Sequence, residues 1–310
     1  SALTTYLSCQ KKFYYLSIEH YKEPEPDESV LVSASTIGTV FHAIMQQLYQ
    51  PFIGKLVTAS DVEQLLHYVN TSEYWSSLTP LQKLQGDPLT ERVVQTYVRN
   101  ILNHDYHVAP FQYIDSEKYV YAPLTVGDKT LVLHGIIDRV DKKADTIRVI
   151  DYKTGYIDTH IEPIKYGLHM QLPVYLYLIH YSKVFTNPIF TGIYYQNILF
   201  NYPTYNKYLE KEIRERTYLQ GYSTEDTSIL ERFDPTYEKS ELIRSMSYTE
   251  EKGFGTYSKV MNNDTLYELI KYKFDKAINK IISNINNMVC NTSSTIKYKK
   301  RRVKPSLIYL

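Results

Sequence analysis

The sequence predicts an α/β fold in which a mixed β-sheet is flanked by helices, with helical additions at both ends of the chain. Three observations support this fold class. Apolar residues recur at helical spacing in 35–50. Residues 118–153 contain three short runs rich in Val, Ile, Leu and Tyr, separated by polar breaks, which is typical of consecutive antiparallel strands. A predicted helix at 167–183 then precedes a further strand at 189–196.

The composition indicates a folded domain and says little about its partners. The chain has 310 residues, of which 43% are apolar and 22% charged, and its net charge is +1. No stretch approaches the roughly 18 uncharged apolar residues of a membrane span, and the first residues lack a signal-peptide pattern. We therefore expect a cytoplasmic protein with no membrane partner, cut from a longer chain.

The predicted elements belong to one domain, 1–290. Residues 1–110 are predicted to be helical, and one of their helices begins at a capping box formed by Ser60 and Glu63. Residues 111–200 hold the predicted strands and the helix between them, so they form the α/β core.

The C-terminal third is polar, and we expect it to be mostly helical over 201–290. Its last helix is predicted at 264–286, where apolar residues keep helical spacing. Residues 291–310 have no apolar period and are predicted to be a disordered tail. The basic run in this tail, 297–304, is either a contact for phosphate or a solvated segment.

Two carboxylates and one lysine converge at the open end of a predicted hairpin. With 142–145 as its loop, Asp138 lies across from Val149. Asp151 is then a diagonal neighbour of Asp138 on the same face, about 7–8 Å away. Because side chains alternate along a strand, Lys153 shares that face with Asp151.

Neighbouring carboxylates repel each other unless a positive charge lies between them, which makes this a candidate site for a divalent cation. Magnesium prefers oxygen ligands, and a bound cation polarises a phosphoryl oxygen and activates water as a nucleophile. An adjacent lysine orients that water or stabilises charge on the phosphate. The spacing alone is also compatible with an exposed salt bridge between Lys153 and Asp138 or Asp151.

The same segment resembles the signature of the PD-(D/E)XK nuclease superfamily, in particular its RecB/AddB-like branch, which carries G-x-x-D-R-x-D, an apolar strand and D-Y-K-T-G. The matching residues are Gly135, Asp138, Arg139, Asp141, Asp151, Tyr152, Lys153, Thr154 and Gly155. Three further segments match in order: LTTYLSCQKKFYY at 3–15, GTVFHAIMQQLY at 38–49 and MQLPVYLY at 170–177. The resemblance covers about residues 3–285 and implies a restriction-endonuclease-like core.

The resemblance implies a metal site and a catalytic residue. His42, Asp138 and Asp151 match the metal-binding side chains, and the backbone carbonyl of Tyr152 matches a further ligand. Lys153 matches the catalytic lysine. The implied cofactor is Mg²⁺ or Mn²⁺, and an imidazole ligand favours manganese. Without the resemblance, His42 is interpreted as a surface or boundary residue of an amphipathic helix.

Other motif residues have roles outside the metal site. The resemblance places Gln171 and Tyr175 against DNA, and their spacing puts both on one helix face. The alternative is that Gln171 lies on the helix surface and Tyr175 in the core. Arg139 and Asp141 are interpreted as a structural pair at the strand end, with no part in the chemistry.

An iron–sulfur cluster is not expected, although several members of this branch hold one. Cys9 matches the cysteine of the opening helix and Cys290 lies near the region of the others. A cluster of this type needs four thiolates, and the chain has two cysteines.

The function implied by the resemblance is metal-dependent hydrolysis of DNA by the exonuclease module of a helicase–nuclease that processes double-strand breaks. Its expected partners are single-stranded DNA ends and a helicase motor in the same or a partner chain, since this sequence has no G-x-x-x-x-G-K-[ST] phosphate loop. Two alternatives stay open: a free-standing exonuclease like those of CRISPR adaptation, and a catalytically silent module that binds DNA or scaffolds a motor.

Overall fold

In the computed structural model, the described residues are 5, 9–21, 33–84, 87–126, 129–160, 163, 169–182, 184–185, 188–198, 207–262, 272 and 308–309. The helix predicted at 264–286 and the tail predicted to be disordered at 291–310 lie outside them, apart from 272 and 308–309.

Helices dominate the described residues of the N-terminal part. The α-helices of the described residues are α1 (Gln10–Phe13), α2 (Ala34–Tyr49), α3 (Ala59–Asn70), α4 (Ser72–Ser76), α5 (Pro88–Val108), α6 (Gln171–Tyr181), α7 (Leu209–Arg216) and α8 (Thr227–Phe233). A π-helical turn covers Tyr14–Ile18, and 3₁₀ turns cover Gln50–Phe52 and Thr79–Leu84.

The strands form one mixed sheet and a small hairpin. They are β1 (Leu56–Val57), β2 (Phe111–Val126), β3 (Lys129–Lys143), β4 (Thr146–Lys153), β5 (Ile189–Asn197), β6 (Gln220–Thr224), β7 (Tyr248–Thr249), β8 (Gly253–Phe254), β9 (Val260–Met261) and β10 (Ile308–Tyr309). The sheet order is β1-β2-β3-β4-β5-β6-β9, with β10 beside β3. β2, β3 and β4 are antiparallel neighbours, whereas β4 and β5 are parallel. The mixed sheet flanked by helices confirms the predicted fold class.

Two apolar clusters cover the two faces of the sheet. On one face, the apolar stripes of α2, α3 and α5 form one cluster with Ile150 and Tyr152 of β4. On the other, α6 packs against Ile137 and Val149, and eight consecutive residues of this helix, 172–179, are buried. A helix that is apolar on all sides needs such a covered position.

The capping box of α3 lies two residues before the predicted one. Thr58 is the N-cap, with φ −95° and ψ 167°, and its side chain accepts a hydrogen bond from the backbone N–H of Asp61. The Asp61 carboxylate accepts one from the Thr58 N–H at 2.8 Å, which completes the box. The pair predicted at Ser60 and Glu63 is therefore wrong: both residues lie inside the first turns of the helix.

The turn between β3 and β4 is shorter than predicted. Lys143 pairs with Thr146, which leaves a two-residue turn, Ala144-Asp145, with Ala144 at φ 52°. Such turns match the twist of antiparallel strands better than the predicted four-residue loop. Val149 therefore lies opposite Val140 and not opposite Asp138. The observed register of β3 and β4 differs from the predicted one by two residues. Because side chains alternate between the two faces, a shift by an even number leaves every side chain on its predicted face.

The sheet also continues beyond the predicted core. Over the described residues 207–262, the prediction of a mostly helical segment is wrong, since β6 to β9 accompany α7 and α8. β6 contains a single large apolar residue, Tyr222, which is too little to identify a strand in the sequence. A side chain at Gly221 would collide with the carbonyl oxygen of Ile193 on β5, so the closest approach of the two strands requires glycine.

A fully buried ion network ties two helices, α2 and α5, to the sheet. Arg139 on β3 donates from Nε to both carboxylate oxygens of Asp141, at 3.0 and 3.1 Å, and from Nη1 to Asp105 of α5, at 2.7 Å. Tyr49 of α2 donates to the same Asp105 oxygen at 2.7 Å. Arg148 of β4 lies 2.5 Å from Asp141. The Arg139–Asp141 pair is therefore structural, as predicted.

Crossing a bilayer would require a longer or more apolar helix than any that the described residues form.

We expect Arg139→Met to lower the free energy of unfolding by about 3–5 kcal/mol, because it leaves a buried carboxylate without its cation. The matched control is Arg232→Met, which removes an arginine from the exposed pair with Asp145 and should cost about 1 kcal/mol or less. Urea unfolding followed by circular dichroism measures both values. Equal losses in the two variants would contradict a structural role for the network.

Candidate active site

His42 reaches the sheet because α2 packs on it through the preceding residue. The Phe41 ring lies edge-on to the Tyr152 ring at 5.2 Å, and the His42 ring is 5.8 Å from the same tyrosine. This packing places His42 Nδ1 3.0 Å from Glu117 Oε1 and 3.6 Å from Asp138 Oδ2. His42 and Asp138 thus lie close together, as the family resemblance implies, and their role as metal ligands stays a prediction.

Glu117 is a member of the site that the sequence analysis missed. The pairs Ser116–Arg139 and Lys118–Ile137 flank it, so Glu117 on β2 stands opposite Asp138 on β3. The sequence analysis held no signal for this position, because it depends on the register of β2 and β3. Val126 pairs with Lys129, and counting back along both strands from that pair brings Glu117 opposite Asp138.

Asp138 is held in a largely buried position. Its Oδ2 accepts a hydrogen bond from the backbone N–H of Tyr152 at 2.8 Å, and 11% of its side chain is exposed. The pKa of Asp138 is raised to about 7, chiefly because its carboxyl group is buried. The negative charge of Asp151 also raises this pKa, and its effect is larger than the opposite effect of the His42 charge. The pKa of His42 is itself raised: burial lowers it, but the hydrogen bond to Glu117 and the charge of Asp138 outweigh that effect.

Asp151 is buried between a cation and an amide. Its Oδ2 lies 2.5 Å from Lys153 Nζ, and its Oδ1 accepts a hydrogen bond from Gln171 Nε2 at 2.6 Å. Burial raises the pKa of Asp151 even though the charge of Lys153 opposes that effect. The predicted placement of Asp151 and Lys153 on one face is confirmed.

Gln171, the first residue of α6, links the lysine to the carboxylate. Its Oε1 accepts from Lys153 Nζ at 2.7 Å, while its Nε2 donates to Asp151 and, at 2.9 Å, to the Tyr175 hydroxyl. Gln171 is exposed, whereas only 8% of Tyr175 is accessible. The contact of both residues with DNA stays a prediction. Because Tyr175 is buried and its hydroxyl accepts a hydrogen bond from Gln171, its position favours a role in holding the Gln171 side chain.

The ligand atoms of His42, Glu117 and Asp138 all lie within 4.8 Å of one another, which makes them a candidate cation site. Asp151 is not in this group, but its charge acts on both Asp138 and His42. The donor set, one imidazole and several carboxylate oxygens, fits a divalent cation such as Mn²⁺ or Mg²⁺. A cation there would also offset the repulsion that raises the pKa of Asp138.

The roles predicted for the Tyr152 backbone carbonyl and for the two cysteines stay predictions. The Tyr152 side chain points into the core, where its hydroxyl accepts from Arg139 Nη1 at 2.9 Å, so only its backbone can face the site. Cys9 is exposed, and its Sγ accepts from the Lys12 N–H at the start of α1. Cys290 lies outside the described residues.

Comparison with known proteins identifies relatives along most of the chain. The model of the PD-(D/E)XK nuclease superfamily matches residues 1–252. An ATP-dependent helicase/deoxyribonuclease subunit of Acetivibrio thermocellus is 22% identical, over 97% of this chain and 28% of that protein. Its namesake from Caldanaerobacter subterraneus is 28% identical, over 60% of this chain and 17% of that protein. An ATP-dependent helicase/nuclease subunit of Listeria monocytogenes is 24% identical, over 53% of this chain and 14% of that protein. The chain thus spans less than a third of the length of each of these relatives.

We expect Glu117→Gln to weaken Mn²⁺ binding by about 10- to 100-fold, because the carboxylate either holds the ion or orients His42. Asp115→Asn is the matched control: Asp115 lies two residues away and pairs with Lys118 at 2.6 Å. Isothermal titration calorimetry measures the affinity of both variants. Unchanged Mn²⁺ affinity in Glu117→Gln would show that Glu117 is not part of the cation site.

Proposed function

The chain belongs to the PD-(D/E)XK nuclease superfamily, and from that premise we propose that it hydrolyses phosphodiester bonds in DNA with the help of a divalent metal ion. One observation carries the proposal: His42, Glu117 and Asp138 form a candidate cation site directly beside the Asp151–Lys153 pair. Each of these groups has a separate use in phosphodiester hydrolysis.

His42, Glu117 and Asp138 would hold the metal ion, with Asp151 and the backbone carbonyl of Tyr152 completing the set. A bound Mg²⁺ or Mn²⁺ supplies Lewis acidity toward a phosphoryl oxygen and lowers the pKa of water. Asp138 and Asp151 supply the negative charge that attracts the ion, and the burial of both carboxylates keeps that charge from being screened.

Lys153 is proposed to stabilise the charge that develops on the phosphate and to orient the attacking water. Its side chain is 29% exposed, so the ammonium group is accessible to a substrate. Asp151 and Gln171 hold the ammonium in place before the substrate arrives, at 2.5 and 2.7 Å. A cation fixed in advance stabilises developing charge without the cost of reorganisation.

We further propose that the chain is the exonuclease module of a helicase–nuclease that acts on single-stranded ends in double-strand break repair. The names of its relatives support this setting, because they combine a helicase with a deoxyribonuclease. The sequence itself contains no phosphate loop. A motor would therefore be supplied by another part of the same protein or by a partner.

Incubation with DNA tests the activity and its mode together. We expect end-labelled linear single-stranded DNA to be degraded with Mn²⁺ or Mg²⁺, circular single-stranded DNA to survive, and a chelator to stop the reaction. Gel electrophoresis separates these results. Cleavage of the circular DNA would show that the protein is an endonuclease and not an exonuclease. Cleavage in excess chelator would contradict metal dependence.

We expect Lys153→Ala to lower the rate of cleavage by about 100- to 1,000-fold, the usual effect of losing one group that stabilises transition-state charge. Binding of DNA should change little, as measured by fluorescence anisotropy. Lys142→Ala, which removes a partly exposed lysine on β3, is the control and should cleave at the rate of the unchanged protein. Equal activity in both variants would exclude a catalytic Lys153.

A further inference from the structure

The hairpin of β2 and β3 extends beyond the candidate active site and presents an exposed aromatic face. Tyr119 is 49% exposed and Tyr121 is 63% exposed. Tyr119 pairs with Ile136, and Tyr121 pairs with His134. Ile136 is 51% exposed, and the rings of Tyr119 and His134 lie 5.2 Å apart.

Alternation along the strands explains why these residues share a face. Val120 and Ala122, the neighbours of the two tyrosines, are buried in the cluster beneath α6. Tyr119 and Tyr121 must therefore point to the opposite side of the sheet. Ile137 on β3 also packs in that cluster, which turns its neighbour Ile136 to the side of the tyrosines.

This aromatic face is continuous with the cation site. The alternation is interrupted at Glu117, whose φ is 48°, and at Asp138, because Ile137 packs beneath α6 while Arg139 lies against Tyr49 of α2. The carboxylates of Glu117 and Asp138 both lie close to His42 of α2, at 3.0 and 3.6 Å. At about 3.4 Å per residue, Tyr119 and Tyr121 lie about 7 and 14 Å along β2 from Glu117. A ligand that lies along the two tyrosines thus ends at the cation site.

The chemistry of the face selects one kind of ligand. Among its described residues between Tyr119 and Pro123 and between Val132 and Ile136, none is a lysine or arginine, so the face offers phosphates no strong attraction. It offers flat rings, and every nucleobase has a π-face that stacks on an aromatic side chain. In a duplex these π-faces are already stacked on neighbouring bases, whereas in a single strand they are accessible.

We propose that the exposed face of Tyr119, Tyr121 and Ile136 is a stacking track for the bases of single-stranded DNA on its way to the cation site. The proposal rests on the proposed nuclease function and adds to it the surface that selects single strands. Successive bases stack on the two tyrosines, and the DNA strand is thereby aligned so that a phosphodiester reaches the cation site of His42, Glu117 and Asp138.

The test measures the binding of a fluorescein-labelled oligo(dT) of about 15 nucleotides by fluorescence anisotropy. A chelator is present so that no cleavage takes place. In Tyr119→Thr/Tyr121→Thr both rings are lost, while threonine preserves the strand propensity of the positions. We expect the dissociation constant to rise by about 5- to 150-fold for each ring removed. Tyr119→Phe/Tyr121→Phe, which retains both rings, should bind like the unchanged protein.

Two controls isolate stacking from other effects. Tyr106→Ala removes a tyrosine of similar exposure, 43%, from α5 and should leave binding unchanged. An abasic oligonucleotide has no rings to stack, so the threonine variant and the unchanged protein should bind it equally. If the threonine variant does not fold, weaker binding of the abasic strand by the unchanged protein still supports stacking, and equal binding contradicts it.

The outcomes separate this proposal from the proposed function. Unchanged oligo(dT) affinity in the folded threonine variant overturns the track, even if that variant degrades DNA. Loss of affinity in a protein that never cleaves DNA supports the track and contradicts the nuclease activity. Equal affinity of the unchanged protein for single-stranded and duplex DNA of the same length also overturns the track.

Discussion

The central constraint on this structure is that two carboxylates on adjacent strands, Asp138 and Asp151, are buried close enough to repel each other. Burial removes water from both groups, and the pKa of each is raised. Such a pair is stable only if the surroundings supply donors and positive charge. The Tyr152 N–H, Lys153 and Gln171 supply part of this compensation, and a divalent cation beside His42 and Glu117 would supply the rest.

The adjacent core explains how the carboxylates are kept in place. Arg139 follows Asp138 directly, and its guanidinium is fixed by Asp105 and Asp141 and surrounded by the rings of Tyr49, Phe111 and Tyr113. Arg139 also holds the hydroxyl of Tyr152, whose backbone N–H holds Asp138. A network without access to solvent thus determines the backbone positions from which the accessible side chains project. The active-site residues are few, but their geometry depends on α2, α5 and three strands.

The two faces of the sheet have different tasks near the site. On the side of α6, the helix covers the sheet and contributes Gln171 to the lysine and carboxylate pair. On the opposite side, α2 covers β4 and delivers His42, while the outer part of the β2–β3 hairpin stays exposed at Tyr119 and Tyr121. The same hairpin that provides Asp138 therefore connects the cation site to an accessible aromatic surface. In this arrangement, one hairpin would contribute both to metal binding and to the recognition of a DNA strand.

The sequence alone determined the features that depend on local periodicity. Alternation placed Asp151 and Lys153 on one face, and spacing identified α2, α6 and the strands around them. Only the tertiary structure decided that Glu117 joins the site, that Gln171 bridges Lys153 and Asp151, and that β6 extends the sheet. These features depend on strand register and on packing between segments far apart in the chain. Ala144 in a left-handed conformation sets one register, and the contact of α2 with Tyr152 sets the position of His42. Neither feature leaves a periodic signal in the sequence, because the first is the conformation of one residue in a turn and the second joins segments far apart in the chain.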